Sequence, residues 1–161
     1  MVTTIEKFND PQDIKNVILD MAQKKKQVVY GQQSVNIQIP AHLRRETKDY
    51  DIYTKKPEQS AKELVERLNK KYGDGKFEVV KGINKKTYKV KRGKDTVADY
   101  TGTTRKPISK KVLGVAYANI GYQKSKIKKI LKDPKALYRH EKDRDTLDKI
   151  NKSEMGKFLY G

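Results

Sequence analysis

The sequence predicts an α+β fold, a mixed sheet with helices packed against it, and three observations carry that reading. Apolar residues recur at helical spacing in two segments of the first half. Short Val, Ile and Tyr-rich runs follow one another with turn residues between them. The resulting order, α, β, β, α, β, β, β and then mainly α, leaves few parallel crossovers and several hairpins. At 161 residues the chain suits one domain spanning 1–161, with no internal repeat and no linker long enough to divide it.

The elements follow in chain order. Pro11 after Asp10 is placed to open a helix on which Ile14, Val17, Ile18 and Met21 share a face, before the run Lys24, Lys25, Lys26. QVVYG is a short apolar run closed by Gly31, a buried strand entering a turn. QQSVNIQIPAHLRR has two readings: Val35, Ile37 and Ile39 alternate as in a strand, while Ser34 suits the cap of a short helix ending before Pro40. KDYDIYTK is a strand. Pro57 then opens a helix lined by Ala61, Leu64, Val65 and Leu68 and ended by Gly73 and Gly75. KFEVVK, KTYKV and TVADY form a meander turning at Gly82-Ile83-Asn84 and at Arg92-Gly93. KVLGVAYANI is strand or helix. IKKILK and YRHEKDRDTLDKI close the domain as helices, broken apart by Pro134.

Composition bounds the chemistry. Hydrophobic residues make up 35% and charged residues 36%, so the core is lean and draws on the ten tyrosines. Thirty-eight Lys and Arg against 20 Asp and Glu leave a net charge of +18, which attracts a polyanion such as RNA, DNA or a nucleoside triphosphate. The absence of cysteine excludes disulfides, zinc–thiolate sites and thiol catalysis. No apolar run approaches the about 20 residues of a membrane span, and MVTTIEKFND lacks the apolar region of a signal peptide. These features lead us to expect a soluble, cytoplasmic protein, of a cell or of a virus-infected host, with no membrane partner.

The stretch TKDYDIYTKK carries the candidate chemistry. Side chains alternate along a strand, so Asp49 and Asp51 project from one face and Tyr50 and Ile52 from the other, with the carboxylates about 7 Å apart. Left unpaired they repel and raise each other's pKa, whereas a divalent cation removes the conflict; magnesium favours hard oxygen ligands of this kind. The bland alternative is an edge strand whose acidic face meets lysines. Asp99 in TVADY is a third carboxylate at the end of a β-like run, and in a meander that strand can lie beside the first. Gly31, after QVVY and before Gln32, Gln33 and Ser34, is a turn where backbone N–H groups and a hydroxyl can approach a phosphate.

Taken in order, the first helix, QVVYGQQS, RRETKDYDIY and TVADY resemble the DNA polymerase beta-like superfamily of nucleotidyltransferases over roughly residues 12 to 150. Arg45 and Thr47 ahead of the acidic pair look like the R-x-T/S-x-D-x-D form of minimal and toxin-type members. Arg139, Lys142, Asp143 and Asp145 look like the R-x-K-D helix with which many such domains close. Where the family usually shows Gly-Gly or Gly-Ser, Gly31 is followed here by Gln32, Gln33 and only then Ser34.

The resemblance implies a nucleotidyltransferase fold and a Mg²⁺-dependent transfer of a nucleoside monophosphate from an NTP to an acceptor hydroxyl, with RNA, tRNA included, the favoured acceptor given the charge. It implies that Asp49 and Asp51 hold two metal ions, Mg²⁺ or Mn²⁺, and that Asp99 shares one and orients or deprotonates the attacking hydroxyl. Two such metals suit an in-line displacement at the α-phosphate. It further implies nucleotide contacts from Gly31, Gln32 and Ser34, and charge neutralisation by Arg45, Arg139 or Lys142. Two rival readings use the same residues: a nucleic-acid-binding protein on a degenerate nucleotidyltransferase fold, and a metal-dependent nuclease with water as nucleophile.

His42 and His140, far apart and without a partner pattern, are expected at the surface. The tyrosines are expected mostly in packing, with one near the site free to stack on a base. RGK at 92–94, TTRKPISKK at 103–111 and QKSKIKKILK at 123–132 offer an electrostatic footprint for nucleic acid, the last also reading as a packed amphipathic helix with a solvated lysine face.

Overall fold

The computed structural model describes residues 11–73 and 75–160. MVTTIEKFND, on which the leader reading rests, lies outside the described residues.

The first helix, α1, runs Pro11–Lys24 and buries Ile14, Ile18 and Met21. Strand β1 (Val28–Tyr30) ends at Gly31, and helix α2 (Gln32–Gln38) follows. The two readings of QQSVNIQ are thereby resolved as helix: Ser34 and Val35 are buried, and Ile39 is extended ahead of Pro40, as a residue before proline prefers. After a 3₁₀ turn at Ala41–Leu43 comes β2 (Tyr50–Thr54), then α3 (Pro57–Tyr72). Helix α3 closes on Gly73 in the left-handed conformation, whose N–H reaches Asn69 O at 2.7 Å.

Strands β3 (Phe77–Lys81), β4 (Thr87–Arg92) and β5 (Asp95–Gly102) form the expected antiparallel meander. KVLGVAYANI is a hairpin, β6 (Ser109–Val112) and β7 (Val115–Ala118), turning at Leu113 and Gly114 with positive φ at both. Asn119 then caps α4 (Ile120–Leu131) by accepting from Tyr122 N at 2.9 Å. A 3₁₀ turn opened by Pro134 leads into α5 (His140–Tyr160).

The seven strands make one mixed sheet in the order β3-β4-β5-β2-β1-β7-β6. The expected α+β fold is therefore present, with β2/β5 and β1/β7 parallel and the remaining neighbours antiparallel. One face packs on α1 and α3, where Ile18, Met21, Ile52, Leu64, Leu68 and Tyr100 form the main core. Burying a side chain such as Ile52 completely contributes about 1.5–3 kcal/mol. A smaller cluster of Val35, Ile39, Ile127 and Ile150 joins α2, α4 and α5. Because β2 alternates, Tyr50 and Ile52 enter the main core while Asp51 and Tyr53 are left for the other side.

One expectation fails in this layer. His42 is exposed, but His140 is buried, and its Nε2 lies 2.8 Å from Ile130 O and 3.0 Å from Asp133 O. A ring N–H is thus spent on two carbonyls at and just after the end of α4, each of which also accepts a backbone N–H.

Candidate active site

Parallel pairing of β2 and β5 sets Asp51 directly opposite Asp99. Asp49 leads into β2, held by Gln33 Nε2 donating to its carbonyl at 3.2 Å and by the Thr47 hydroxyl at 3.3 Å from Oδ1. Each of Asp49, Asp51 and Asp99 offers a carboxylate oxygen, and these three lie within 4.8 Å of one another. The three expected carboxylates are therefore brought together.

Their charges are unevenly compensated. Lys89, one strand over on β4, pairs with Asp99 at 2.9 Å. Asp51 makes no ion pair among the described residues. Burial, and then the charges of Asp99 and Asp49, push its carboxyl up to about 7, against a smaller opposing pull from Lys126. Three crowded hard oxygens with an excess of negative charge are a fitting donor set for a divalent cation, which would bind to all three and relieve the repulsion.

Gly31 packs directly against this group. Its φ of 75° and ψ of −155° lie in a region kept to glycine, and a Cβ built there would collide with Asp51 Oδ2. The turn is tied down from both sides, with Gly31 O accepting from Val35 N at 3.1 Å and from Gln123 Nε2 at 3.4 Å.

Above the carboxylates lies an aromatic and cationic wall. Tyr30 and Tyr53 stack with ring centroids 3.8 Å apart. Lys126 sits over Tyr30 at 4.0 Å and donates to Tyr53 OH at 3.0 Å, and Tyr53 OH also meets Tyr122 OH at 2.9 Å. Burial lowers Lys126 to about 8, with Arg139 adding to the fall and Asp51 and Asp143 opposing it. The buried Tyr30 hydroxyl is pushed up by burial and by Asp51, and bonds Thr101 Oγ1 at 3.0 Å.

All of this lines one cleft of about 550 Å³, which also takes in Gly31, Gln32, Arg139 and Lys142. Arg139 is turned partly inward on Asp143, at 2.8 Å and 3.3 Å. The amide of Gln32 is engaged, accepting from Thr146 at 3.0 Å and donating to Asn36 at 2.8 Å. Two predicted residues are not brought to the cleft. The buried Ser34 hydroxyl donates to Ala118 O at 2.5 Å, which joins α2 to the end of β7 instead of facing a phosphate. Arg45 donates to Lys142 O at 3.2 Å and pairs with Asp145 at 3.5 Å, so it fastens the segment ahead of β2 to α5.

Lys126, Lys89, Tyr30 and Tyr53 were not singled out from the sequence. For Lys126 a signal existed: it shares a helical stripe with Gln123, Ile127 and Ile130, the residues that α4 turns to the cleft. Lys89 has no local signal, because only the β4/β5 register sets it opposite Asp99.

No protein-family model matches the chain, and no curated protein matches it in sequence. Among solved structures, the Megavirus polyadenylate synthase is similar in fold, with a TM-score of 0.79 over 89% of this chain at 19% sequence identity. The chain spans 31% of the length of that structure. The nucleotidyltransferase type of fold expected from the sequence is thus shared, and fold by itself does not convey activity.

Proposed function

We propose that the chain is a divalent-metal-dependent nucleotidyltransferase that moves a nucleoside monophosphate from an NTP to an acceptor hydroxyl, with RNA as the favoured acceptor. The observation that carries this reading is the convergence of Asp49, Asp51 and Asp99 beneath a glycine turn, in a cleft bordered by cationic side chains. The fold likeness to a polyadenylate synthase and the charge of +18 support the nucleotide and the RNA.

Each residue then has a stated task. Asp49, Asp51 and Asp99 would hold two ions, Mg²⁺ or Mn²⁺. When bound, these cations stabilise charge on the attacking and leaving oxygens of an in-line displacement at the α-phosphate. Asp99, paired with Lys89, would orient or deprotonate the acceptor hydroxyl. Gly31, lacking the Cβ that would collide with Asp51, lets the turn sit against the carboxylates, and with Gln32 it borders the part of the cleft that would take the triphosphate. Lys126, Arg139 and Lys142 offset the charge gathering on the departing pyrophosphate. The stacked Tyr30 and Tyr53 hold Lys126 in place and keep water from one wall.

The test is label transfer. The protein is incubated with each α-phosphate-labelled NTP, Mg²⁺ or Mn²⁺ and total RNA, beside an Asp49→Asn/Asp51→Asn variant. Label entering RNA with the wild type and lost in the variant supports the proposal. RNA binding without label or cleavage points to a binding protein, and shortened unlabelled RNA to a nuclease; either sinks it.

A further inference from the structure

A second cavity, of about 470 Å³, lies at the other end of β1 and β2 from the glycine turn. The two strands are antiparallel with Val28 opposite Tyr53, so Gln27 and Thr54, just beyond that pair, stand side by side at its floor. Ser60, from the first turns of α3, completes the floor.

Three features of this pocket point the same way. The first is charge. Lys26, Lys55 and Lys56 border it and make no ion pair among the described residues, whereas Lys25 is paired with Glu63 at 2.8 Å and Lys106 donates to the carbonyl of Lys26. The nearest acid on the opening turn of α3, Glu58, is taken up by Lys62 at 3.3 Å.

The second is the start of α3 itself, a helix of 16 residues with no side chain capping it. Pro57 has no N–H, and those of Glu58 and Gln59 have no partner within the helix, so the positive end of the helix opens here.

The third is Gln27, only 2% exposed. Its Nε2 donates to Ser60 Oγ at 3.1 Å and more weakly to Thr54 Oγ1 at 3.5 Å, yet its buried Oε1 has no partner among the described residues. Interior amides rarely leave an acceptor unmet. Both floor hydroxyls can donate as well as accept. Turning the amide by half a revolution gives Oε1 the hydroxyl protons and places an N–H where the orphaned oxygen now stands. That turn produces a donor, and the ligand it suits is rich in acceptor oxygens and negatively charged.

We propose that this pocket binds a phosphate group, at a site separate from the carboxylate cleft. Lys26, Lys55 and Lys56 surround it, the α3 amides point at it, and the Gln27 amide turns to meet it. The phosphate belongs either to a nucleic acid or to a free small anion. The proposal stands apart from the transfer chemistry.

The experiment uses the full chain labelled with ¹⁵N. One arm titrates inorganic phosphate at constant ionic strength against a chloride control, and a second compares a 5′-phosphorylated short RNA with its 5′-hydroxyl counterpart. The Glu58 and Gln59 backbone amides and the Gln27 side-chain amide should shift saturably in at least one arm. The exposed pair Lys55→Ala/Lys56→Ala should weaken that binding about tenfold or more, while its own spectrum reports that the fold is kept. Asp49→Asn/Asp51→Asn should leave the shifts in place, so that loss of transfer and loss of this site remain distinct. Response to phosphate assigns a small-anion site; response only to RNA assigns a terminal or internal phosphate according to whether the 5′-hydroxyl form also binds. Shifts no larger than those with chloride in both arms, or equal in the lysine variant, overturn the proposal.

Discussion

Gly31 lies so close against Asp51 that a single methyl group at position 31 would occupy the space of a carboxylate oxygen. Gly31→Ala therefore combines a backbone strain of about 1–3 kcal/mol with displacement of the Asp51 carboxylate. We expect a lower melting temperature and a loss of nucleotide transfer far larger than the loss of folded protein. Thermal melts beside single-turnover assays measure the two, and a variant with wild-type activity would remove Gly31 from the site.

The raised carboxyl of Asp51 makes a prediction for the metal-free protein. Its folded value of about 7 lies above its ordinary value of 3.8, so between those limits the folded chain binds the proton that the unfolded chain has released. Stability contributed by this group is present at low pH and declines as pH rises from about 4 through about 7, by up to about 4 kcal/mol. Asp51→Asn should flatten that decline in chelator-treated protein. Denaturant melts at pH 5 and pH 8 on both proteins give the difference, and parallel curves would refute it.

Divalent cation should reverse the same penalty. A ligand held only by the folded state stabilises by about 2.7 kcal/mol at one hundred times its dissociation constant. Mg²⁺ or Mn²⁺ should accordingly raise the melting temperature at pH 8 more than at pH 5, where protons compete for Asp51. An Asp51→Asn/Asp99→Asn variant should not respond, and calorimetric titration showing equal binding in that variant would place the cation elsewhere.

Lys126 should act on the nucleotide and leave folding largely untouched. Lys126→Met keeps the bulk over Tyr30 and removes the charge, so the KM for NTP should rise about tenfold with the melting temperature nearly unchanged or slightly higher. Lys126→Arg should recover part of the affinity. An unchanged KM in Lys126→Met would limit the residue to packing.

Much of this fold was legible because its segments carry local signals. Proline at 57 and glycine at 73 mark α3, and the turns at Gly82 and Gly93 separate the meander. QQSVNIQ and KVLGVAYANI were ambiguous for a physical reason: each is a short apolar run that satisfies both periods, and only tertiary packing of Val35 or the Leu113–Gly114 turn decides. At the site, Asp49 and Asp51 are neighbours in sequence, and Asp99 required only that two strands pair. Ser34 and Arg45 went astray because residue type does not reveal direction: the Ser34 hydroxyl finds a carbonyl on β7, and Arg45 finds α5. Lys89 and the orientation of Lys126 depend on register and helix rotation, which no local pattern contains.

The strand order has a consequence for how the molecule comes into being. Both margins of the sheet are local, the β3-β4-β5 meander and the β6-β7 hairpin, whereas the centre joins segments remote in the chain, β5 to β2 and β1 to β7. Hairpins close quickly, and the central parallel pairings must first meet the entropy of closing long loops. The carboxylate triad straddles one of those late seams, since Asp51 and Asp99 face each other only across β2 and β5. A chain with its margins formed and its centre open therefore lacks the carboxylate triad however much local structure it has, so that on the proposed function cation affinity would be acquired only with the central pairing.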